Sequence, residues 1–208
     1  MRHYLLVFLL AAASPVWAQG ALIDNPRVTV TKVRLTPARP YTTDRHTQDT
    51  VLLIAGDGRL ATDGKSADRH FGDAIFIPKG KQVTEEVEGD TPIDLVEVVM
   101  KDSRPPHPNT TGYPPGFPRP GAKNTLNNKR AAVWVYSWGP HETTPMHYHD
   151  KDIVGIFRYD GPLKSTDPAG KSTIIRYGAG EVRFTAGDRS HTEGLVSGRQ
   201  SAILMELK

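Results

Sequence analysis

The sequence predicts an all-β protein built from two similar domains in tandem. Three observations predict it. Apolar stretches are short, rich in β-branched and aromatic residues, and separated by turn residues, the pattern of strands. No long stretch carries a helical period. The order of landmarks in the first half recurs in the second, as a duplication requires.

The elements follow in chain order. Residues 1–18 open with Arg2 and His3, continue through the apolar run YLLVFLLAAA and close on Val16-Trp17-Ala18. The run is shorter than the roughly 20 residues of a membrane span, and Val16 and Ala18 satisfy the small-residue rule of a cleavage site. We expect a signal peptide cut after Ala18, with the mature chain exported to the periplasm or secreted and no membrane attachment after cleavage. Residues 24–102 form the first domain, with strand-like stretches RVTVTKVRL, DTVLLIAG, DAIFIP, QVTEEV and IDLVEVVM. Residues 103–128 hold 7 of the chain's 17 prolines. Proline gives no N–H to a ladder, so this stretch cannot be a run of central strands. It reads as a Pro-rich linker, or as an arm lying on a domain surface. Residues 129–208 form the second domain, with AAVWVYSW, DIVGIFRY, STIIRY, EVRFTA and SAILMELK.

The copies align on shared landmarks. His46-x-x-Asp49 matches His149-x-x-Asp152, the turn Asp57-Gly58 matches Asp160-Gly161, and the segment from Gly72 to Gly80 parallels that from Gly180 to Gly187.

Composition narrows the chemistry. Net charge is +3, with the basic residues scattered, so nucleic acid is not an expected partner. There is no cysteine. Disulfides, thiolate metal sites and cysteine nucleophiles are therefore excluded, and any metal must be held by His and carboxylate.

The informative stretch is Pro145-Met-His147-Tyr-His149-Asp150. On a strand, residues i and i+2 share a face, so His147 and His149 aim two imidazoles at one point. Imidazole suits Zn, Fe, Ni and Cu. His191, about 40 residues on after the turn Thr-Ala-Gly-Asp-Arg, can return from another strand as a third ligand. Glu193 shares a strand face with His191. It is read evenly as a further ligand or base and as a surface carboxylate. His141 is expected in a surface loop. Trp134, Tyr136 and Trp138 alternate on one strand and are expected to pack, with the interface between the halves as one location. His46, His70 and His107 are assigned to structure or surface.

These residues resemble the cupin superfamily, whose first motif reads G-x5-HxH-x(3,4)-E-x6-G and whose second reads G-x5-PxG-x2-H-x3-N. His147-x-His149 with Gly161 follows the first motif. Gly180, Gly187 and His191 follow the second. The resemblance covers about residues 129–208 well and 26–102 loosely. It implies two tandem jelly-roll barrels, a bicupin with a degenerate first copy, and a divalent metal on His147, His149 and His191. Fe(II) or Zn is the first expectation, with Mn, Ni and Cu open.

The motifs are incomplete. Counting back from Gly161, Val154 stands in the usual glutamate position, and Asp152, two residues earlier, is the candidate substitute. The motif's proline and final asparagine are missing. In the first copy, Asp44 aligns with His147, His46 with His149 and Val83 with His191, which leaves no credible site. That copy is expected to be structural, packing on its twin or supporting a homodimer. Three functions remain open: an oxygenase-like enzyme on a small chelating or anionic substrate, a non-catalytic module binding a small molecule or sugar in the cell envelope, and a structural protein whose histidine cluster is a relic. No catalytic residue is assigned.

Overall fold

The computed structural model describes residues 20–37 and 39–208. The expected signal peptide lies outside the described residues. The first half supplies β1 (Ile23–Asp24), β2 (Val28–Leu35), β3 (Tyr41–Thr42), β4 (Thr50–Ile54), β5 (Gly58–Thr62), β6 (Lys65–Arg69), β7 (Ala74–Ile77), β8 (Thr84–Glu88) and β9 (Ile93–Met100). The second supplies β10 (Lys123–Asn127), β11 (Ala131–Trp138), β12 (His147–His149), β13 (Ile153–Phe157), β14 (Gly161–Thr166), β15 (Ser172–Tyr177), β16 (Val182–Thr185), β17 (Arg189–Leu195) and β18 (Gln200–Leu207).

Each half folds into two antiparallel sheets. The first half orders them β1-β2-β9-β4-β7 and β3-β8-β5-β6, and the second β10-β11-β18-β13-β16 and β12-β17-β14-β15. Each position in the first half is matched in the second by the strand nine places later. The internal repeat read from the sequence is therefore a repeat of topology.

Alternation along the larger sheets explains how the halves join. Val28, Val30, Val51, Leu53, Val96 and Val98 project from one face, and Ala131, Val133, Val154, Ile156, Ile203 and Met205 meet them in a single shared core. Each large side chain so buried contributes about 1.5–3 kcal/mol. The opposite faces fill the two barrels. The first is packed with Leu52, Ile54, Leu60 and Leu95, and the second with Trp138, Ile153, Phe157 and Leu204. Among the described residues, ion pairs cross between the halves from Arg27 to Asp152 at 2.7 Å, from Arg130 to Asp49 at 3.3 Å, and from Arg158 to Asp57.

Four readings change here. Val154 does not face the metal site. It lies in the shared core between the halves, because the inward residues of β13 are Ile153, Gly155 and Phe157. Asp152 shares the Val154 face, as the two-residue period requires, and is committed to Arg27. Trp134, Tyr136 and Trp138 pack inside the second barrel and not between the halves. Finally, residues 123–127, read as linker, form β10, and the proline-rich stretch before them lies along β12. There Tyr148 N–H donates to Pro114 O and Gly116 N–H to Tyr148 O, both at 2.8 Å. An edge strand can accept such an arm because only alternate N–H groups are needed, and the prolines occupy the others.

Candidate metal centre

β12 and β17 are adjacent antiparallel strands, and their register places His147 opposite His191 and His149 opposite Arg189. Alternation points His147, His149, Arg189, His191 and Glu193 into the second barrel, while Tyr148 turns outward to donate to Asp188 at 2.8 Å. The three imidazoles are buried. His149 Nε2 lies 3.1 Å from both His147 Nε2 and His191 Nε2. Two donors that far apart, each about 2.1 Å from one shared ion, subtend about 95° at it. That is the angle between neighbouring ligands on one face of an octahedron.

The protonation pattern agrees with a cation at this point. His147 Nδ1–H donates to Pro145 O at 2.8 Å, and His191 Nδ1 lies 2.9 Å from Ser165 Oγ, which can accept from an Nδ1–H. Both bonds leave the Nε2 lone pair free, the arrangement seen in metal-binding histidines. Burial pushes all three imidazoles below their ordinary pKa, His191 to about 4 and His149 well down with Arg189 adding to the effect. They are neutral at pH 7 and ready to ligate. Together they form the group of described side chains able to hold a metal ion.

Glu193 brings a carboxylate to the same place, with Oε1 3.8 Å from His191 Nε2 and Oε2 3.7 Å from Arg119 Nη2. Burial alone would raise its pKa, but the surrounding imidazoles, Arg119 and Arg189 hold it below the usual value. Of the two carboxylates weighed on the sequence, Glu193 is at the centre and Asp152 is not. Asp152 accepts from Arg27 Nε and from Gly187 N–H in the turn that leads into β17, so it shapes the loop behind the site. His141 sits exposed in the loop before β12, with φ of 62°.

Several participants were not read from the sequence. Arg119 leaves the proline-rich arm and lies between the rings of Phe117 (4.5 Å) and Tyr136 (4.0 Å), with Nη1 3.5 Å from His147 Nε2. Gly116 covers His149 so closely that a Cβ would fall 2.6 Å from the ring. Nothing in the local sequence of the arm announces either role. Arg189 was legible, because it precedes His191 by two residues on a strand and must share its face.

The first barrel shows what the site would be without its histidines. Glu85 pairs with Thr62 as Glu193 pairs with Ser165, and each partner is the fourth residue after the glycine that opens its strand. Two residues earlier, Val83 stands where His191 stands. It faces Thr43, which donates no imidazole. Thus Thr43, not Asp44, is the counterpart of His147, and His46 instead reaches Glu97 at 3.2 Å. With no imidazole cluster around it, Glu85 is driven up to about 7 by burial.

Solved structures share this architecture. A cupin 2 conserved barrel domain protein from Leptotrichia buccalis superposes with a TM-score of 0.55 at 17% identity, covering 90% of this chain and 87% of that one. A mutant of Bacillus subtilis oxalate decarboxylase OxdC gives 0.62 at 12%, covering 88% and 70%. AerE from Microcystis aeruginosa gives 0.59 at 12%, covering 90% and 96%. The chain has a tandem cupin fold. No family profile and no curated protein sequence matches it. At these identities the cupin likeness establishes the fold, and function must be argued from the site.

Proposed function

We propose that this chain is an exported metal-binding cupin that holds one divalent ion on His147, His149 and His191, with Glu193 as the adjoining carboxylate. The convergence of three neutral, buried Nε2 atoms carries the reading. Three imidazoles and a carboxylate suit Fe(II), Mn(II), Zn(II), Ni(II) or Cu(II). Mn(II) gains support from the centres of a structural neighbour, Bacillus subtilis oxalate decarboxylase. A bound ion would supply a Lewis acid and positions for a small chelating or anionic substrate. The protein's own residues orient the imidazoles through Pro145 and Ser165, exclude water with the arm, and present Arg119 to negative charge. Oxygenase-like chemistry is the enzymatic form of this proposal.

A non-catalytic binding module of the envelope is the second reading. It is favoured by Glu193, which the neighbouring cations hold charged and not poised near neutrality as a general acid would be. Elemental analysis of protein purified without added metal tests the common part. One divalent ion per chain is expected, lost in His147→Ala and His149→Ala and retained in His46→Ala. Retention of stoichiometric metal by the double variant His147→Ala/His149→Ala would refute the site. Oxygen consumption by the loaded protein on anionic substrates then separates enzyme from binder.

A further inference from the structure

Behind the triad the second barrel holds a chamber of about 210 Å³. The chamber has two chemically distinct ends. At the end beside His149 stand Arg119 and Arg189. Arg119 is 9% exposed at the side chain, and its Nε and Nη2 have no hydrogen-bond partner in the protein. Arg189 Nε and Trp138 Nε1 are likewise buried and unpartnered. Glu193 is the nearby carboxylate, and it stays 3.7 Å from Arg119, beyond a hydrogen bond. Unpaired buried donors are costly, and those on charged groups most of all. The other end is mainly apolar, walled by Ile153, Phe157 and Leu204, with Tyr177, Arg183 and Thr185 also on the lining.

We infer that this chamber binds a monocarboxylate with an apolar body about one six-membered ring in size. The anionic head lies among Arg119, Arg189 and Trp138, and the body lies against Ile153, Phe157 and Leu204. Guanidinium groups match a carboxylate with paired N–H donors. Size follows from volume: a cavity of about 150 Å³ holds benzene, so 210 Å³ accommodates such a body and a carboxylate. A compact dianion such as oxalate would leave Ile153, Phe157 and Leu204 uncovered, so it is not the preferred ligand. The inference deepens the metal-site reading and rests on it only for the ion beside the carboxylate head.

Gly155 offers a probe of the apolar end. It lines the chamber, and a Cβ there would lie 3.4 Å from Phe157 and 3.6 Å from Leu204, so valine would fill space the ligand body needs. The experiment is calorimetric titration of the full chain with benzoate, hexanoate, acetate, oxalate and benzamide. It compares wild type, Arg119→Gln and Gly155→Val, each metal-free and Mn(II)-loaded, with metal per chain measured for every sample. Benzoate and hexanoate should bind at least about tenfold tighter than acetate, oxalate or neutral benzamide, a discrimination in reach of one charged contact and a filled pocket. Arg119→Gln should lose the advantage of benzoate over benzamide. Gly155→Val should lose the advantage of benzoate over acetate. Tighter binding of oxalate than of benzoate, equal binding of benzamide and benzoate, or benzoate binding untouched by both substitutions overturns the inference. Benzoate bound through Arg119 by a chain that takes up no metal would overturn the metal reading and leave this one standing.

Discussion

Replacing Asp152 by Asn tests whether that carboxylate serves the metal or the junction between the halves. Its Oδ2 meets Arg27 Nε at 2.7 Å with both side chains under 10% exposed, and its Oδ1 accepts from Gly187 N–H at 2.9 Å. Arg27 also donates to the Asp102 carbonyl. The next residue after Gly187, Asp188, donates its N–H to His149 O at 2.8 Å. The chain of contacts runs from the first half, through Asp152, to the turn between β16 and β17 that leads into His191. Removing one partner of a buried pair leaves an uncompensated charge and costs about 3–5 kcal/mol. For a chain of this length that corresponds to roughly 6–20 °C in melting temperature, at about 2–4 °C per kcal/mol. Arg27→Met should cost a similar amount. The double variant should cost clearly less than the sum, because the second substitution removes the stranded charge. Thermal unfolding of metal-free protein supplies the stabilities, and chelator competition supplies the metal affinity. The reasoning fails if Asp152→Asn weakens metal binding strongly while Arg27→Met does not, or if the two destabilisations simply add. Asp152 would then be acting at the ion.

Three further outcomes are expected. Val154→Glu should unfold or strongly destabilise the protein without adding a ligand, since it buries a charge in the core shared by the halves; a raised affinity for divalent metal at unchanged melting temperature would contradict this. Ser165→Ala removes the hydrogen-bond partner of His191 Nδ1 and should weaken metal binding by about 10–100-fold, the usual effect of losing such an orienting partner, as read by chelator competition. Metal-free protein should lose stability as pH falls from about 6.5, where an unfolded histidine takes up its proton, towards the folded value of about 4 at His191, which stays neutral through that window. The melting-temperature difference between wild type and His191→Gln should shrink or reverse over that range, and a difference independent of pH would refute it.

Much of this was legible in the sequence because a strand's period is two. His147 and His149 had to share a face, Glu193 had to share that of His191, and the duplicated turns marked equivalent strands in the two halves. What escaped were distances along β13 and contacts between segments remote in the chain. Counting from Gly161 selected Val154, but Ile153 is the residue that faces inward. A slip of one residue turns a ligand position into an interdomain position. Asp152 could not be excluded from the metal by counting, since its partner Arg27 lies 125 residues away. Arg119 was hidden for the same reason. Prolines explain why its segment is not a regular strand, and they say nothing of where the segment lies.

The two barrels differ in what surrounds a buried glutamate. Both keep a buried glutamate at the same sheet position, Glu85 and Glu193. In the first barrel Val83 and Thr43 stand at the positions of His191 and His147, Leu52, Ile54, Leu60 and Leu95 pack the interior, and the carboxyl is pushed up to about 7 by burial. The second barrel sets three imidazoles, two arginines and a glutamate held below its usual pKa around a chamber. Arg119, Arg189, Trp138 and His149 each retain a buried polar atom with no partner in the protein. Holding so many unsatisfied groups next to Ile153 and Phe157 destabilises the fold. An anionic ligand at the guanidinium groups would satisfy Arg119 and Arg189, and a metal ion would take the three converging Nε2 atoms.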